Sequence, residues 1–383
     1  MAPPSSQIQL SPSELSYIHT SLSQTPPLRP DGRAPRRFRP LVAETDVSPS
    51  TNGSARICFA DGTEAVVGVK CEVERTPNTG CETGLGWTGD VMGGGAGDDA
   101  RMDTGEVDES RKGKGQDAWV EVAIDIPGYR DDDAPPVFLG ATLTEALVSD
   151  GALKDRLYIN TRFHWRLCVD ILLLSPPTSH PLPLLSLTTH LALLRTRLPA
   201  LISEEDEDPL FNDDWDASIP LYPSSTSKTS TTTTSPPPIT LLVMSVASNI
   251  IFDPSREELA VADSVFAVSV AAAASSSSSP GNPRQAKIVA IRAIDPPSRL
   301  TNAGTPIQQP AQQTDGASSG AVLSKAEALE RSGDEGESGM VGGLWRAPRG
   351  GVKRGVLGRI IKDIVGEGGV GVDVLDALES VEG

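Results

Sequence analysis

Aromatic side chains are scarce in this chain, with seven Phe, five Trp and four Tyr in 383 residues, while Gly (36) and Pro (32) are abundant. That balance implies long irregular stretches beside a conventional core. Cysteine is also sparse. Cys58, Cys71, Cys81 and Cys168 show no C-x-x-C spacing and no even framework, which excludes a disulfide scaffold and points to reduced thiols. Positive charge is outweighed: the net charge is −18 and the pI about 4.7, against nonspecific polyanion binding by the chain as a whole. Long hydrophobic runs are missing too. Ile239–Ala247 is too short to span a bilayer, and residues 1–10 lack the basic start and apolar centre of a signal peptide. A soluble intracellular protein of one large or two ordinary domains is expected.

What is present centres on residues 52–74. Ala55, Ile57 and Phe59 alternate with Arg56 and Cys58, the period of a half-buried strand. Asp61-Gly62 supplies a turn, and Ala65 to Lys70 forms a nearly continuous β-branched run, suited to a strand covered on both faces. Gly68 inside it suggests a bulge or a close backbone approach.

Elsewhere, Ser11-Pro12-Ser13-Glu14 is a capping box that predicts a helix over 12–23. Leu41–Val47 reads as extended. Val120, Val122, Ile124 and Ile126 alternate as a strand, and helices are predicted at Val137–Val148 and Leu184–Leu198, the latter burying Leu187, Leu191 and Leu194. Leu157–Ile159 and His164–Leu174 read as strands. A second hairpin is predicted around Ser248-Asn249, then a helical turn at Arg256–Asp263, strands at Val265–Ala272 and Lys287–Ile294, and helices from Val356 and Val372. Residues 76–117 are too poor in apolar side chains to form core and are expected to be a disordered surface insertion. Their glycine run lacks the G-K-[ST] of a phosphate loop. Periodicity alone supports an α+β class.

An ordered set of features carries a resemblance. Leu28–Pro40 reads LRPDGRAPRRFRP, and it precedes an extended segment, then GSAR and the hairpin; SPSELSYIHTSL lies upstream and LCVDILLLS downstream. In that order they resemble an RNase PH-family ring subunit of the eukaryotic RNA exosome, of the type whose archaeal counterpart is the non-catalytic ring partner. The resemblance implies an RNase PH-like fold, two β-rich halves with helices packed on mixed sheets. It divides the chain into residues 1–28 (capped helix and linker), 29–200 (first half, carrying 76–117), 201–238 (acidic and Ser/Thr/Pro-rich insert), 239–295 (second half), 296–343 (low-complexity insert, with a possible helix near Leu323–Arg331) and 344–383 (C-terminal helices). It makes Arg29, Asp31, Gly32, Arg33, Arg39, Gly53, Ser54 and Asp170 structural motif residues, with Asp31 and Arg33 tying the N-terminal segment to the sheet.

Active relatives need acids near Asp170, a following D-G-G-T-R loop and arginines that hold phosphate. Here Ser175-Pro176-Pro177-Thr178-Ser179-His180 stands in that place, so no catalytic residue, metal or cofactor is expected and Asp170 reads as a structural acid. His164, His180 and His190 have poor metal spacing. Two basic clusters, Arg29 to Arg39 and Arg346, Arg349, Lys353, Arg354 and Arg359, are either phosphate contacts or interface and solvated positions. Arg33, Arg36, Arg37 and Arg56 are the RNA-contact candidates. The helix that carries arginines near the pore in archaeal relatives matches Pro136–Leu147, which has none. Expected partners are other RNase PH-like subunits in a hetero-hexameric ring, RNA-binding cap subunits and RNA in the channel, with no membrane; expected locations are nucleus, nucleolus and cytoplasm. Two rivals remain: a phosphate-dependent 3′-to-5′ exoribonuclease of the same fold, and a scaffold unrelated to RNA.

Overall fold

The computed structural model describes residues 10–76, 115–149, 151–203, 207–222, 235–273, 285–301, 345–348, 351–366 and 368–380. Residues 77–114 of the insert expected at 76–117, most of 296–343 with its possible helix, and parts of 201–238 lie outside them, whereas Asp117 already belongs to a turn that leads into the first sheet. Helix α1 (Pro12–Ser23) starts on the expected box, Ser11 Oγ accepting from Glu14 N at 3.3 Å and Glu14 Oε2 from Ser11 N at 2.7 Å.

The first sheet has the order β1-β2-β3-β5-β4, with β1 (Leu41–Thr45), β2 (Gly53–Phe59), β3 (Glu64–Arg75), β4 (Val120–Asp125) and β5 (Phe163–Leu173). All neighbours are antiparallel except β4 and β5. The Asp61-Gly62 turn joins β2 to β3, and Gly62 sits at φ 82°, where a Cβ would be strained. Helices α2 (Ala134–Val148) and α3 (Ala152–Arg156) separate β4 from β5, and α4 (Leu182–Arg195) follows. A two-residue pair, β6 (Arg197–Leu198) with β7 (Ile219–Pro220), leads to the second sheet. That sheet has the order β11-β10-β8-β9, from β8 (Ile239–Val246), β9 (Asn249–Phe252), β10 (Ser264–Ala272) and β11 (Ala286–Ile294), with the short α5 (Arg256–Leu259) between β9 and β10. Helices α6 (Arg354–Val365) and α7 (Val370–Ser380) follow.

Alternation places these elements in layers. Ile239, Leu241 and Val243 of β8 join the core shared with α4 and the first sheet, while Leu242, Met244 and Val246 face α1, α5 and Trp345. Helix α4 carries Leu182, Leu184, Leu185, Leu191 and Leu193 fully buried and packs on β2, β3 and β8, so both sheets share it. A helix hydrophobic all round belongs in that position. The outer face of the first sheet has no covering layer among the described residues, and Glu44, Lys70, Glu72 and Asp170 are exposed on its strands.

Several expectations are corrected here. The strands buried on both faces are β8 and β10; β3 buries Ala65, Val67 and Val69 on one face only, because α4 covers one side. Gly68 makes no bulge, pairing regularly with Ser54 and Asp170, but a Cβ there would come within 3.1 Å of Thr51 Cγ2. The parallel β4–β5 pair makes the first sheet mixed, as expected, and among the described residues the pairs of the second sheet are antiparallel. Leu157–Ile159 is not a strand: Leu157 N donates to Lys154 O, and Asn160 Oδ1 takes the N–H groups of Arg162 and Phe163, so the segment turns and only Tyr158 bridges to His164. Helix α2 begins three residues early because Pro135 and Pro136 fit a first turn that needs no N–H. Helix α4 stops at Arg195 because Thr196 turns extended and Arg197-Leu198 pairs with Ile219-Pro220.

Candidate functional site: an arginine–carboxylate clamp and its basic rim

The segment before β1 runs past the second sheet, where its arginines meet carboxylates more than two hundred residues away. Arg29 makes a bidentate pair with Glu258, Nε to Oε1 at 2.7 Å and Nη2 to Oε2 at 2.8 Å, and both side chains are fully buried. Its remaining donors reach the carbonyls of Phe252 (3.2 Å) and Asp253 (2.9 Å). Glu258 is fixed because it also closes a capping box, Oε2 accepting from Ser255 N at 2.7 Å. Arg33 bridges Asp31 (2.5 Å) and Asp253 (2.8 Å), and Gly32 holds φ 73° in the turn between. Arg39 grips Asp253 through Nη2 (2.7 Å) and its own backbone N–H (2.9 Å), while Nη1 reaches Asp61 in the β2–β3 turn at 2.6 Å. It also lies over the Phe59 ring, 4.6 Å from the centroid.

Asp253 is the hub. Burial pushes its carboxyl up, but the hydrogen bonds and charges of Arg39 and Arg33 outweigh that and hold it below the ordinary 3.8. Asp31 and Asp61 go the same way: burial raises each, and bonds from Arg33 on the first and Thr63 on the second pull it down. The D-G-R element therefore ties the N-terminal segment to the second sheet, and Arg39 joins both halves. Asp253 and Glu258 were missed in the sequence reading. Only Glu258 left a local trace, the S-x-x-E of Ser255–Glu258.

The GS step of β2 has its own reason. A Cβ on Gly53 would lie 2.6 Å from Thr196 Cα and 2.7 Å from Ala192 O, so only glycine lets the end of α4 pack there. Ser54, fully buried, accepts from Ser48 N at 2.8 Å.

Among the RNA-contact candidates, Arg33 is engaged by the clamp, and Arg56 lies on the outer sheet face between Glu64 and Glu44. Arg36 is exposed and pairs with Asp363 of α6 at 2.5 Å; Arg37 is exposed beside it. In the second cluster Arg346, Lys353, Arg354 and Arg359 are exposed, and Arg349 lies outside the described residues. The arginine-free helix α2 gains one from elsewhere, since Arg292 of β11 bonds to Thr142 Oγ1 at 3.0 Å and pairs with Glu145.

Asp170 is in the middle of β5, opposite Gly68 and Ala123, exposed on the uncovered face with no ion pair among the described residues. Lys70 of β3 lies near enough to feel its charge. The polar groups after β5 are already engaged: Ser175 Oγ takes Glu64 N at 3.1 Å, Thr178 Oγ1 donates to Asp61 at 2.8 Å, and Ser179 Oγ meets Arg39. His164 stacks on Trp119 with ring centroids 4.3 Å apart, and His190 Nδ1 lies 2.7 Å from Pro237 O. No three metal-ligating side chains converge among the described residues.

Two sheets sharing a buried helix and locked by a salt-bridged N-terminal strap define an α+β chain. No family model matches. The curated relatives are specific, however. The chain is 29% identical over 268 residues to exosome complex component RRP42 of Saccharomyces cerevisiae, covering 68% of this chain and 82% of the relative. It is 30% identical over 283 residues to exosome complex component rrp42 of Schizosaccharomyces pombe, covering 69% and 79%. The chain belongs to the Rrp42 family of exosome complex components. Among solved structures it is similar to an archaeal exosome core (18% identity, TM-score 0.45, 83% of this chain and 90% of the other) and to rice (Oryza sativa) Rrp46 (13%, 0.38, 70% and 85%).

Proposed function

We propose that this chain is a non-catalytic structural subunit of the exosome core ring, supporting 3′-to-5′ RNA processing and decay by helping to close the ring and form its RNA channel. Family membership supports the ring role. The observation that carries the inactive assignment is the surroundings of Asp170, which faces solvent with no ion pair to a guanidinium among the described residues, while the segment after β5 is bonded to the β2–β3 turn. Phosphorolysis needs an oriented phosphate, an acid for the leaving oxygen and cations on the transferring group. Its partners are then other RNase PH-like subunits, RNA-binding cap subunits and RNA threaded through the assembly, in nucleus, nucleolus and cytoplasm. Affinity purification of the tagged chain should return the other ring and cap subunits, and the purified chain, alone or with its ring neighbour, should release no nucleoside diphosphate from RNA with phosphate and magnesium present. Phosphate-dependent shortening of RNA that Asp170→Asn abolishes would establish the enzymatic rival instead.

A further inference from the structure

The fold joins the two basic clusters that the sequence keeps more than three hundred residues apart. Arg36 is held against Asp363 near the end of α6. Val356, Ile360 and Ile364 form the buried stripe of that helix; at about 3.6 residues per turn Asp363 borders it and Lys362 lies on the opposite side. Arg359, one turn before Asp363, and Lys362, beside it, are exposed, as is Arg37 next to Arg36. Asp363 is the only acid of α6 and is taken by Arg36; no carboxylate pairs with Arg37, Arg359 or Lys362 among the described residues. In a chain of net charge −18, a local surplus of cations is not a by-product of composition. One turn before Arg359 and Lys362 the helix surface carries no side chain, at Gly355 and Gly358, where a Cβ would meet nothing within 4 Å. Glycine weakens a helix interior, and no packing inside the chain asks for it here. It leaves a low surface flanked by cations, on which an extended polyanion can lie close to the helix.

We infer that Arg36, Arg37, Arg359 and Lys362 form a binding site for the phosphodiester backbone of a single-stranded nucleic acid. The site is separate from the clamp, whose arginines are occupied by carboxylates, and it reads no sequence, because cations on phosphates position a strand without specifying bases. With RNA as the strand, it rests on the exosome reading.

Fluorescence anisotropy of labelled 20-nucleotide oligouridine and oligodeoxythymidine, with the full chain and its ring neighbour, tests it; the pair of probes says which strand the site takes. Arg37→Gln/Arg359→Gln should weaken binding about tenfold at low salt and flatten the log–log salt dependence by about 1.4, two contacts at roughly 0.7 each. The control Lys70→Gln/Arg130→Gln removes the same charge from exposed positions elsewhere and should change affinity less than about twofold. Equal loss in both variants, or none in the first, overturns the site. Co-purification of the Arg37→Gln/Arg359→Gln chain with exosome subunits is followed in parallel. Retained assembly with lost nucleic-acid binding supports the site, whereas lost assembly shows that the patch is a protein interface and overturns it. Failure of the wild-type chain to assemble strikes the ring reading itself.

Discussion

Asp253 takes charge from two arginines at 2% side-chain exposure, which makes it the residue whose loss should cost most. Removing one partner of a buried ion pair strands the others without solvent, at about 3–5 kcal/mol. Asp253→Asn should lower the denaturant midpoint accordingly, and Asp31→Asn, on the open side of the strap, by far less. The folded Asp253 carboxyl lies below its ordinary value, so its contribution is complete above about pH 4 and fades as pH falls through the depressed folded value. His190 acts in a higher window. It is 1% exposed, its Nε2 has no partner among the described residues, and burial, opposed by the bond to Pro237 O, pushes its pKa down to about 4. A folded value below the unfolded one means full stability above about pH 6.5 and a loss reaching roughly 3 kcal/mol by pH 4. Thermal midpoints between pH 7 and pH 4 should fall in the wild type and fall less in His190→Gln, where His180, which burial also pushes down to about 4, still contributes.

At the scale of elements, the parts read correctly from sequence are those whose reasons are local. The capping box set α1, and the alternation from Ala55 to Phe59 set β2, because each signal is contained within one element. The clamp was half legible: arginines stood out, but nothing near them in sequence names Asp253 or Glu258. In helix α4 the spacing predicts burial of Leu187, Leu191 and Leu194, whereas the leucines at 182, 184, 185, 191 and 193 are buried and wrap the whole cylinder. Burial between two sheets has an energetic signature. Leu185→Ala should cost about 2–5 kcal/mol, at the upper end if both sheets hold the cavity open. Gly53→Ala, a change of one methyl, should also cost a few kcal/mol because it drives a Cβ into the backbone of Ala192 and Thr196. Both are read from urea denaturation at constant slope.

Among the described residues the whole molecule presents a sheet with one uncovered face and with β1 and β4 as its edge strands. Val42, Leu172 and Leu174 are 66%, 42% and 49% exposed there. Such surfaces favour association with a second chain, so co-expression with an RNase PH-like neighbour should raise soluble yield and give a stable heterodimer on gel filtration. A well-behaved monomer indifferent to every such neighbour would contradict the ring role.

The strap also sets a schedule for biosynthesis. Arg29 leaves the ribosome 229 residues before Glu258; at about 5–20 residues per second its partner follows roughly 10–50 s later. Over that interval Arg29, Arg33 and Arg39 lack Glu258 and Asp253 and have only Asp31 and Asp61 for charge, and the β8 side of α4 is open to water. Nascent chains stalled near residue 200 should therefore be digested readily by protease and captured by chaperones, and chains released after residue 380, with the second sheet and its helices in place, should resist.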